Sequence, residues 1–258
     1  MIEINNISKS FGQVNALSDC TLKIEDNAMM IIAGGDGAGK TTLLKSIAGL
    51  VTPDKGQVLI NGQSPSRQKE CFGYMAQQFS WYKNLSVNEN IILSATLHDL
   101  SKKQAENVGA EILKFVGLYP FKDRLAGKLS GGMKQKLALA AVLVYKPQFL
   151  LLDEPSTGVD PVSRQEFWEL VQQINEQGTT VIVATPYFDE VSYCREVVLM
   201  NKGRILINDT LAALKNKFPD SLPAHHLRPI AGYSHNGQNP RRFLPGFQPH
   251  IFCSGPLP

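Results

Sequence analysis

The chain has 258 residues, enough for one domain of ordinary size or two small ones, with 43% hydrophobic and 19% charged residues. This composition is typical of a globular protein and excludes disordered and fibrous classes. The formal net charge of +3 is too small to indicate a nucleic-acid partner, and we expect none. No apolar run reaches the roughly 18 residues that a membrane span needs, and the start lacks the pattern of a signal peptide, so we expect a cytoplasmic protein.

The first 218 residues alternate between two kinds of hydrophobic pattern. Short runs rich in β-branched and apolar residues predict strands at 2–7, 20–24, 29–33, 57–60, 149–153, 179–184 and 197–200. Longer segments with apolar residues at helical spacing predict helices at 40–49, 87–98, 102–116, 132–145 and 164–176. Alternation of strands and helices indicates an α/β fold with a mainly parallel sheet. Residues 80–146 contain predicted helices without a strand, so we interpret them as a helical subdomain inserted into the α/β core.

The composition changes sharply near residue 218. Residues 219–258 hold eight of the fifteen prolines and four of the five histidines, but only one acidic residue. Prolines at this density do not sustain helix or strand periodicity. We therefore predict one domain over residues 1–218 and a disordered or non-native tail over 219–258. The non-native possibility is a stretch translated out of frame, and the alternative to both is a tethered interaction segment.

A glycine-rich motif follows the predicted strand 29–33. Residues 34–41 read GGDGAGKT, which matches GxxxxGK[ST], and a predicted helix follows at once. Glycines let backbone N–H groups approach phosphate oxygens, and the helix N-terminus adds its positive dipole end. Lys40 can neutralise the β- and γ-phosphates of a nucleotide, and the Thr41 hydroxyl can bind Mg²⁺. We call residues 34–41 the phosphate loop.

The predicted strand 149–153 ends in Asp153, and Glu154 follows it directly. Residues 149–154 therefore read FLLLDE. Ligands of open α/β sheets bind at the carboxyl ends of the strands. Asp153 is therefore the candidate residue that holds Mg²⁺, either as a direct ligand or from the second coordination sphere. Glu154 is the candidate general base that orients water for attack on the γ-phosphate.

A third motif, LSGGMKQ at residues 129–135, lies between these two, and with it the chain resembles an ATP-binding-cassette (ABC) ATPase over about residues 1–215. The resemblance implies a P-loop NTPase fold with an antiparallel β subdomain. It also identifies Gln77 as the residue that senses Mg²⁺ and the attacking water, and 156–160 as the D-loop. Phe11 matches the aromatic residue that stacks on adenine, although a plain core phenylalanine is the alternative.

The complete set of predicted site residues combines the motifs with the resemblance. Glu154 and Gln77 are the predicted catalytic residues, and Thr41, Gln77 and Asp153 are the predicted Mg²⁺ ligands. The predicted ATP-binding residues are Phe11, Gly34, Gly35, Asp36, Gly37, Ala38, Gly39, Lys40, Thr41, Thr42, Ser130, Gly131, Gly132 and Asp160.

The resemblance implies partners as well as a site. In this family Ser130, Gly131 and Gly132 would grip ATP bound to an opposing cassette, so a second cassette is expected, together with transmembrane permease subunits. The protein would then lie at the cytoplasmic face of a membrane and energise transport. The cassette is similar to the first half of fused two-cassette ATPases that drive ABC-2-type exporters.

One position departs from the family pattern. Pro186 stands where a histidine normally follows the threonine at the end of strand 179–184. Proline has neither a side-chain donor nor a backbone N–H, so it cannot contact the γ-phosphate. We expect reduced hydrolysis. One alternative is a regulatory cassette that holds ATP without turnover, and another is a soluble translation- or repair-type ABC protein. Asp36 is a second, milder departure, because its charge must point away from the bound phosphates.

Overall fold

A computed structural model describes residues 1–78 and 81–217. The strands are β1 (Ile2–Phe11), β2 (Val14–Ile24), β3 (Met29–Ala33), β4 (Lys55–Ile60), β5 (Phe72–Met75), β6 (Phe149–Asp153), β7 (Thr180–Thr185), β8 (Glu196–Asn201) and β9 (Arg204–Thr210). The α-helices are α1 (Lys40–Ile47), α2 (Val87–Leu97), α3 (Lys102–Phe115), α4 (Gly131–Leu143), α5 (Pro161–Glu176) and α6 (Leu211–Lys217). Short 3₁₀ helices lie at Pro65–Arg67, Lys69–Cys71, Tyr119–Phe121, Ala126–Lys128 and Phe188–Tyr193.

The strands form two sheets. A six-stranded sheet has the order β5-β6-β7-β3-β8-β9, in which every pair is parallel except β8 with β9. A three-stranded antiparallel sheet has the order β2-β1-β4. The predicted α/β fold with a mainly parallel core sheet and an antiparallel β subdomain is therefore confirmed.

The register of the parallel strands brings their carboxyl ends to one edge. Ala33 of β3 pairs with Thr185 of β7, and Asp153 of β6 pairs with Ala184. Met75 of β5 pairs with Leu152 of β6. The segments that follow these four strands, which hold the phosphate loop, Glu154, Pro186 and Gln77, consequently start side by side.

The central strands β3, β6 and β7 are buried along their whole length. Parallel strands covered on both faces read as continuous apolar runs, which is why the sequence predicts them so clearly. Alternate residues of β3 enter two cores: Ile31 packs with helices α2 to α5, and Ile32 packs with α1 and the antiparallel sheet. The phosphate loop is thus anchored by a strand that is fixed from both sides.

Residues 81–146 contain α2, α3 and α4 and no strand, as the hydrophobic pattern predicts. Helix α2 begins with a capping box: Ser86 Oγ accepts from the Glu89 backbone N–H at 3.2 Å, and Glu89 Oε2 accepts from the Ser86 N–H at 2.7 Å. None of the described helices has the length and apolar character to cross a bilayer. Whether these residues form a subdomain with its own boundaries stays a prediction.

Three elements were not predicted from the sequence. Strand β5 has only four residues, and Gly73 interrupts its apolar pattern. Strand β9 is half-exposed at the sheet edge and contains Asn208 and Asp209, so it lacks the apolar run of a central strand. Helix α6 follows it directly, over seven residues. The predicted tail at 219–258 lies outside the described residues.

Candidate functional site

The phosphate loop connects β3 to α1, and Lys40 is the first residue of the helix. The Lys40 side chain is 4% exposed. Its Nζ donates to the carbonyl oxygens of Gly34 at 2.8 Å and Gly35 at 3.1 Å. The loop backbone therefore wraps around a buried ammonium group, as expected for a cation that neutralises phosphate.

The loop glycines have two different kinds of surroundings. A Cβ on Gly34 would lie 2.4 Å from the Met200 carbonyl oxygen, and one on Gly39, whose φ is +101°, would lie 2.5 Å from the Ala16 carbonyl oxygen. A Cβ on Gly35 or Gly37 would meet no heavy atom within 4 Å. Gly34 and Gly39 hold the loop close to its neighbours, whereas Gly35 and Gly37 leave open space where a phosphate would fit.

The remaining loop residues are arranged consistently with nucleotide binding. Ala38 is buried, and its carbonyl oxygen accepts from the Gly203 N–H at 3.0 Å. Asp36 is exposed, so its charge can remain in solvent. Thr42 is half-buried in the first turn of α1.

Asp153 accepts hydrogen bonds from two hydroxyl groups. Thr41 Oγ1 donates to Oδ1 at 2.9 Å, and the Tyr74 hydroxyl donates to Oδ2 at 3.0 Å. Burial, followed by the neighbouring Asp153 charge, raises the pKa of Tyr74, so the phenol stays protonated and can donate. The structure brings Thr41 and Asp153 together as predicted, whereas Tyr74 was not predicted; its signal is its position three residues before Gln77.

Glu154 has an unusual backbone conformation. Its φ of +50° is rare for a residue with a side chain, and its N–H donates to the Ala184 carbonyl oxygen at 2.9 Å. Gln77 Nε2 donates to Glu154 Oε2 at 2.9 Å, and Lys40 Nζ lies 3.9 Å from Oε1. A strained residue facing a buried cation and an amide is typical of a functional site.

The donor set suits Mg²⁺ bound together with a nucleotide. Asp153, Thr41 and Gln77 offer carboxylate, hydroxyl and amide oxygens, the ligand types that Mg²⁺ prefers. In residues 1–78 and 81–217, no group of three or more His, Cys, Asp or Glu side chains could hold a metal ion alone. Oxygen atoms of a bound phosphate would have to complete the coordination.

Ser130 and Asp160 are helix N-caps. Ser130 Oγ accepts from the Met133 N–H at 3.3 Å at the start of α4, and Asp160 Oδ1 accepts from the Ser163 N–H at 3.0 Å at the start of α5. The hydrogen bonds with Ser163 lower the pKa of Asp160. Within the part of the chain that the structure describes, neither residue has a hydrogen bond to the phosphate loop. Gly131 and Gly132 form the first turn of α4.

Phe11 ends β1 and is 52% exposed, so it is not a core residue. Lys9 Nζ lies 5.5 Å from the centre of its ring. The free face of the ring could stack on a planar ligand.

Pro186 follows β7 and is half-buried. The next N–H, that of Tyr187, donates to Thr185 Oγ1 at 3.1 Å, and the Arg164 guanidinium lies 5.0 Å from the centre of the Tyr187 ring. The turn after β7 is therefore ordered without any polar group from Pro186.

Residues 17–157 match the protein-family model described as ABC transporter. The chain is 42% identical over 222 residues to the probable multidrug ABC transporter ATP-binding protein YbhF of Escherichia coli, an alignment that covers 83% of this chain and 38% of YbhF. It is 32% identical to the linearmycin resistance ATP-binding protein LnrL of Bacillus subtilis, over 80% of this chain and 68% of LnrL. The chain therefore spans less than half the length of YbhF.

Two solved structures are similar to the whole described fold. The ATP-binding cassette MJ0796, a dimer in a post-hydrolysis state bound to ADP and Pi, has a TM-score of 0.74 at 25% identity, covering 82% of this chain and 99% of that one. The cbiO1 protein of Clostridium perfringens, described as part of the ABC transporter complex cbiONQ, has a TM-score of 0.74 at 28% identity, covering 85% and 90%.

Proposed function

This chain belongs to the ABC transporter family of ATP-binding cassettes, and from that membership we propose that it binds and hydrolyses ATP to energise transport through partner membrane subunits. One observation supports the proposal most directly: the ends of β3, β5 and β6 converge at a single edge of the sheet. There Glu154 contacts both Lys40 and Gln77, and Thr41 contacts Asp153.

The residues have separate tasks in the proposed reaction. Lys40 and the loop N–H groups bind the β- and γ-phosphates of ATP. Glu154 accepts a hydrogen bond from the attacking water and orients it toward the γ-phosphorus. Gln77, which already donates to Glu154, keeps that carboxylate aimed at the water. Phe11 would stack on the adenine ring.

Mg²⁺ would supply charge neutralisation at the β- and γ-phosphate oxygens. Thr41 and Asp153 would hold it, with Gln77 completing the protein ligands. Tyr74 fixes the rotation of the Asp153 carboxylate through its hydrogen bond to Oδ2.

We further propose that hydrolysis at this site is slow. Pro186 offers no donor to the γ-phosphate, and removal of one transition-state donor typically costs about 10²- to 10³-fold in rate. The absence of a donor at Pro186 also favours a second candidate function, a regulatory cassette that holds ATP without hydrolysing it. Steady-state turnover above that of a Glu154→Gln variant would exclude the regulatory cassette.

The proposed assembly contains a second cassette, either another copy of this chain or a different one, and transmembrane permease subunits. Ser130, Gly131, Gly132 and Asp160 would contact the nucleotide across the interface between cassettes. Residues 1–218 would form the ATPase domain, with the helical subdomain inserted at about 80–146. The domain would lie peripherally on the cytoplasmic face of the membrane.

ATP binding tests the central assignment. Lys40→Ala should weaken Mg²⁺-ATP affinity by about 10- to 100-fold, because a charge-assisted hydrogen bond is worth about 1.5–3 kcal/mol. Calorimetric titration of the full chain measures the affinity. Lys45→Ala, which removes the same charge later in α1, is the matched control and should bind as the wild type does. Equal affinities of wild type and Lys40→Ala would overturn the site assignment.

A further inference from the structure

Glu190 is a fully buried carboxylate just beyond Pro186, in the 3₁₀ helix Phe188–Tyr193. Its Oε1 accepts hydrogen bonds from Ser156 Oγ and from Trp168 Nε1, the latter at 3.3 Å. Its Oε2 accepts from Thr185 Oγ1 at 2.6 Å. Three separate parts of the chain, the loop after β6, helix α5 and the end of β7, therefore meet at one side chain.

A buried charge of this kind is costly unless it is well paired. Among the described residues the nearest cation is Arg164, whose Nε lies 3.8 Å from Oε1 while its Nη1 lies 3.4 Å from Asp189. Hydrogen bonds from three neutral donors therefore replace most of the hydrogen bonds that water would make to the carboxylate. An apolar residue of similar volume would avoid the cost of burial, but it would leave these three donors unpaired.

The donors connect Glu190 to the candidate base. Ser156 lies two residues after Glu154, in a segment folded by the hydrogen bonds Thr157 N–H to the Glu154 carbonyl oxygen at 3.3 Å and Val159 N–H to the Ser156 carbonyl oxygen at 3.2 Å. These bonds are internal to the segment. The Ser156 side chain, in contrast, ties the segment to the rest of the fold.

The second oxygen of Glu190 holds the other side of the site. Thr185 precedes Pro186, and its hydroxyl also accepts from the Tyr187 N–H. One carboxylate thus connects the segment that contains Glu154 to the turn that contains Pro186.

We propose that Glu190 is a positioning residue: through Ser156 it holds the 154–160 segment against the end of β7 and thereby keeps Glu154 in its strained, productive conformation. The inference rests on the proposed ATPase function. Pro186 cannot help to align Glu154, so this indirect anchor acts together with the hydrogen bond that the Glu154 N–H donates to the Ala184 carbonyl oxygen.

Two of the three hydrogen bonds can be removed separately, and the shared carboxylate can be replaced. Glu190→Gln replaces one acceptor oxygen with a donor, and Ser156→Ala removes only the bond to the 154–160 segment. Trp168→Phe is the matched control, because it removes a bond to the same oxygen from α5 without loosening either loop. If Glu190→Gln does not fold, Ser156→Ala still tests the proposal with Glu190 in place.

Kinetics and hydrogen exchange of the full chain provide the test. Glu190→Gln and Ser156→Ala should each lower kcat by about tenfold, the equivalent of one hydrogen bond to a charged group, with KM for ATP within about twofold of wild type. Amide exchange of residues 154–160 should accelerate in both. The double variant should be no slower than the worse single variant, since both remove the same connection. Trp168→Phe should lower the melting temperature but leave kcat and this exchange pattern unchanged.

Two results would overturn the proposal: unchanged exchange of 154–160 in both loop variants, or a Trp168→Phe variant that loses as much kcat as Glu190→Gln, which would indicate a general packing role. Failure of the ATPase assignment looks different. If the wild-type chain shows no turnover, the proposed hydrolysis is wrong. The amide exchange of residues 154–160 in the variants then still shows whether Glu190 holds that segment.

Discussion

Asp153 and Glu154 are adjacent in sequence but lie in different environments. Asp153 ends β6 and accepts from two hydroxyl groups, which fixes both of its oxygens. Glu154 takes a positive φ, which turns its side chain toward Gln77 and Lys40. Two neighbouring carboxylates in distinct surroundings can perform distinct tasks, one holding a metal ion and one acting as a base.

Tyr74→Phe tests the role of the Asp153 carboxylate. Without the phenol hydroxyl, Oδ2 loses its partner while Thr41 still holds Oδ1, so Asp153 becomes less well oriented. We expect the Mg²⁺ concentration needed for half-maximal ATP binding to rise by about tenfold, in line with the loss of an outer-sphere partner. Metal-free ATP binding should not change. Tyr82→Phe, which alters an exposed tyrosine, is the control, and an identical Mg²⁺ dependence in all three proteins would contradict the assignment.

Pro186→His tests the proposed cause of slow hydrolysis. An imidazole N–H at this position can donate to the γ-phosphate, so turnover should rise by about 10²-fold. Pro186→Ala removes the proline ring, as Pro186→His does, but adds no side-chain donor. Its turnover should stay near that of the wild type. Steady-state phosphate release measures both variants. Equal rates in the histidine and alanine variants would show that the missing donor is not what limits turnover.

Sequence motifs predict the candidate phosphate and Mg²⁺ residues but not the residues that contact and orient them. GxxxxGK[ST] and FLLLDE specify local chemistry, so Lys40 and Asp153 are identified from their neighbours alone. Tyr74 donates a hydrogen bond to a partner 79 residues away in sequence, and Glu190 accepts one from a partner 34 residues away. Only the register of β5, β6 and β7 brings such residues together, and no short pattern contains that register.

Helices α4 and α5 meet closely at their N-termini. A Cβ on Gly132 would lie 2.4 Å from Ser163 Cβ and 2.5 Å from its Oγ. Gly131, the preceding residue, has only the Gly158 carbonyl oxygen nearby, at 3.5 Å from a hypothetical Cβ. The second glycine is therefore needed for helix packing in this chain, whatever it contributes to a nucleotide site.

Gly132→Ala should consequently destabilise the fold by about 1–3 kcal/mol, the usual cost of overpacking. Chemical denaturation of the chain without nucleotide measures the loss. Gly131→Ala is the matched control, and we expect a change below about 0.5 kcal/mol, because its new methyl group makes an ordinary contact. Ser163→Gly should recover part of the stability in the Gly132→Ala background. Equal stability of the two alanine variants would show that the helices separate without cost.

Element prediction succeeded where burial was uniform and failed at the edges. β3 and β6 were predicted with exact bounds because both faces are apolar. Helix α5 begins at Pro161, three residues before the predicted start; its Asp160 cap and Pro161 are the typical signals of a helix N-terminus. Strands β5 and β9 depend on pairing with β6 and β8, which a single sequence does not reveal.

At the scale of the whole molecule, the candidate site is divided between two regions. Lys40, Asp153 and Glu154 lie at the edge of the parallel sheet, whereas Ser130 lies at the start of α4 and accepts its hydrogen bond from Met133 of the same helix. The fold brings the first three together, and in the described part of the chain Ser130 has no hydrogen bond to the phosphate loop. A second cassette would be needed to place Ser130 opposite a phosphate loop, and MJ0796, with a similar fold, is a dimer.

Mixing two inactive variants tests whether that second cassette is another copy of this chain. Lys40→Ala removes the phosphate cation and Ser130→Ala removes the hydroxyl of the opposing site, so each variant alone should show little ATPase activity. In a two-fold dimer each nucleotide site takes Lys40 from one copy and Ser130 from the other. An equimolar mixture then contains about half mixed dimers, each with one intact site, and should recover about a quarter of wild-type turnover. A mixture no more active than the sum of the two variants would contradict pairing of two copies, since no intact site would have formed.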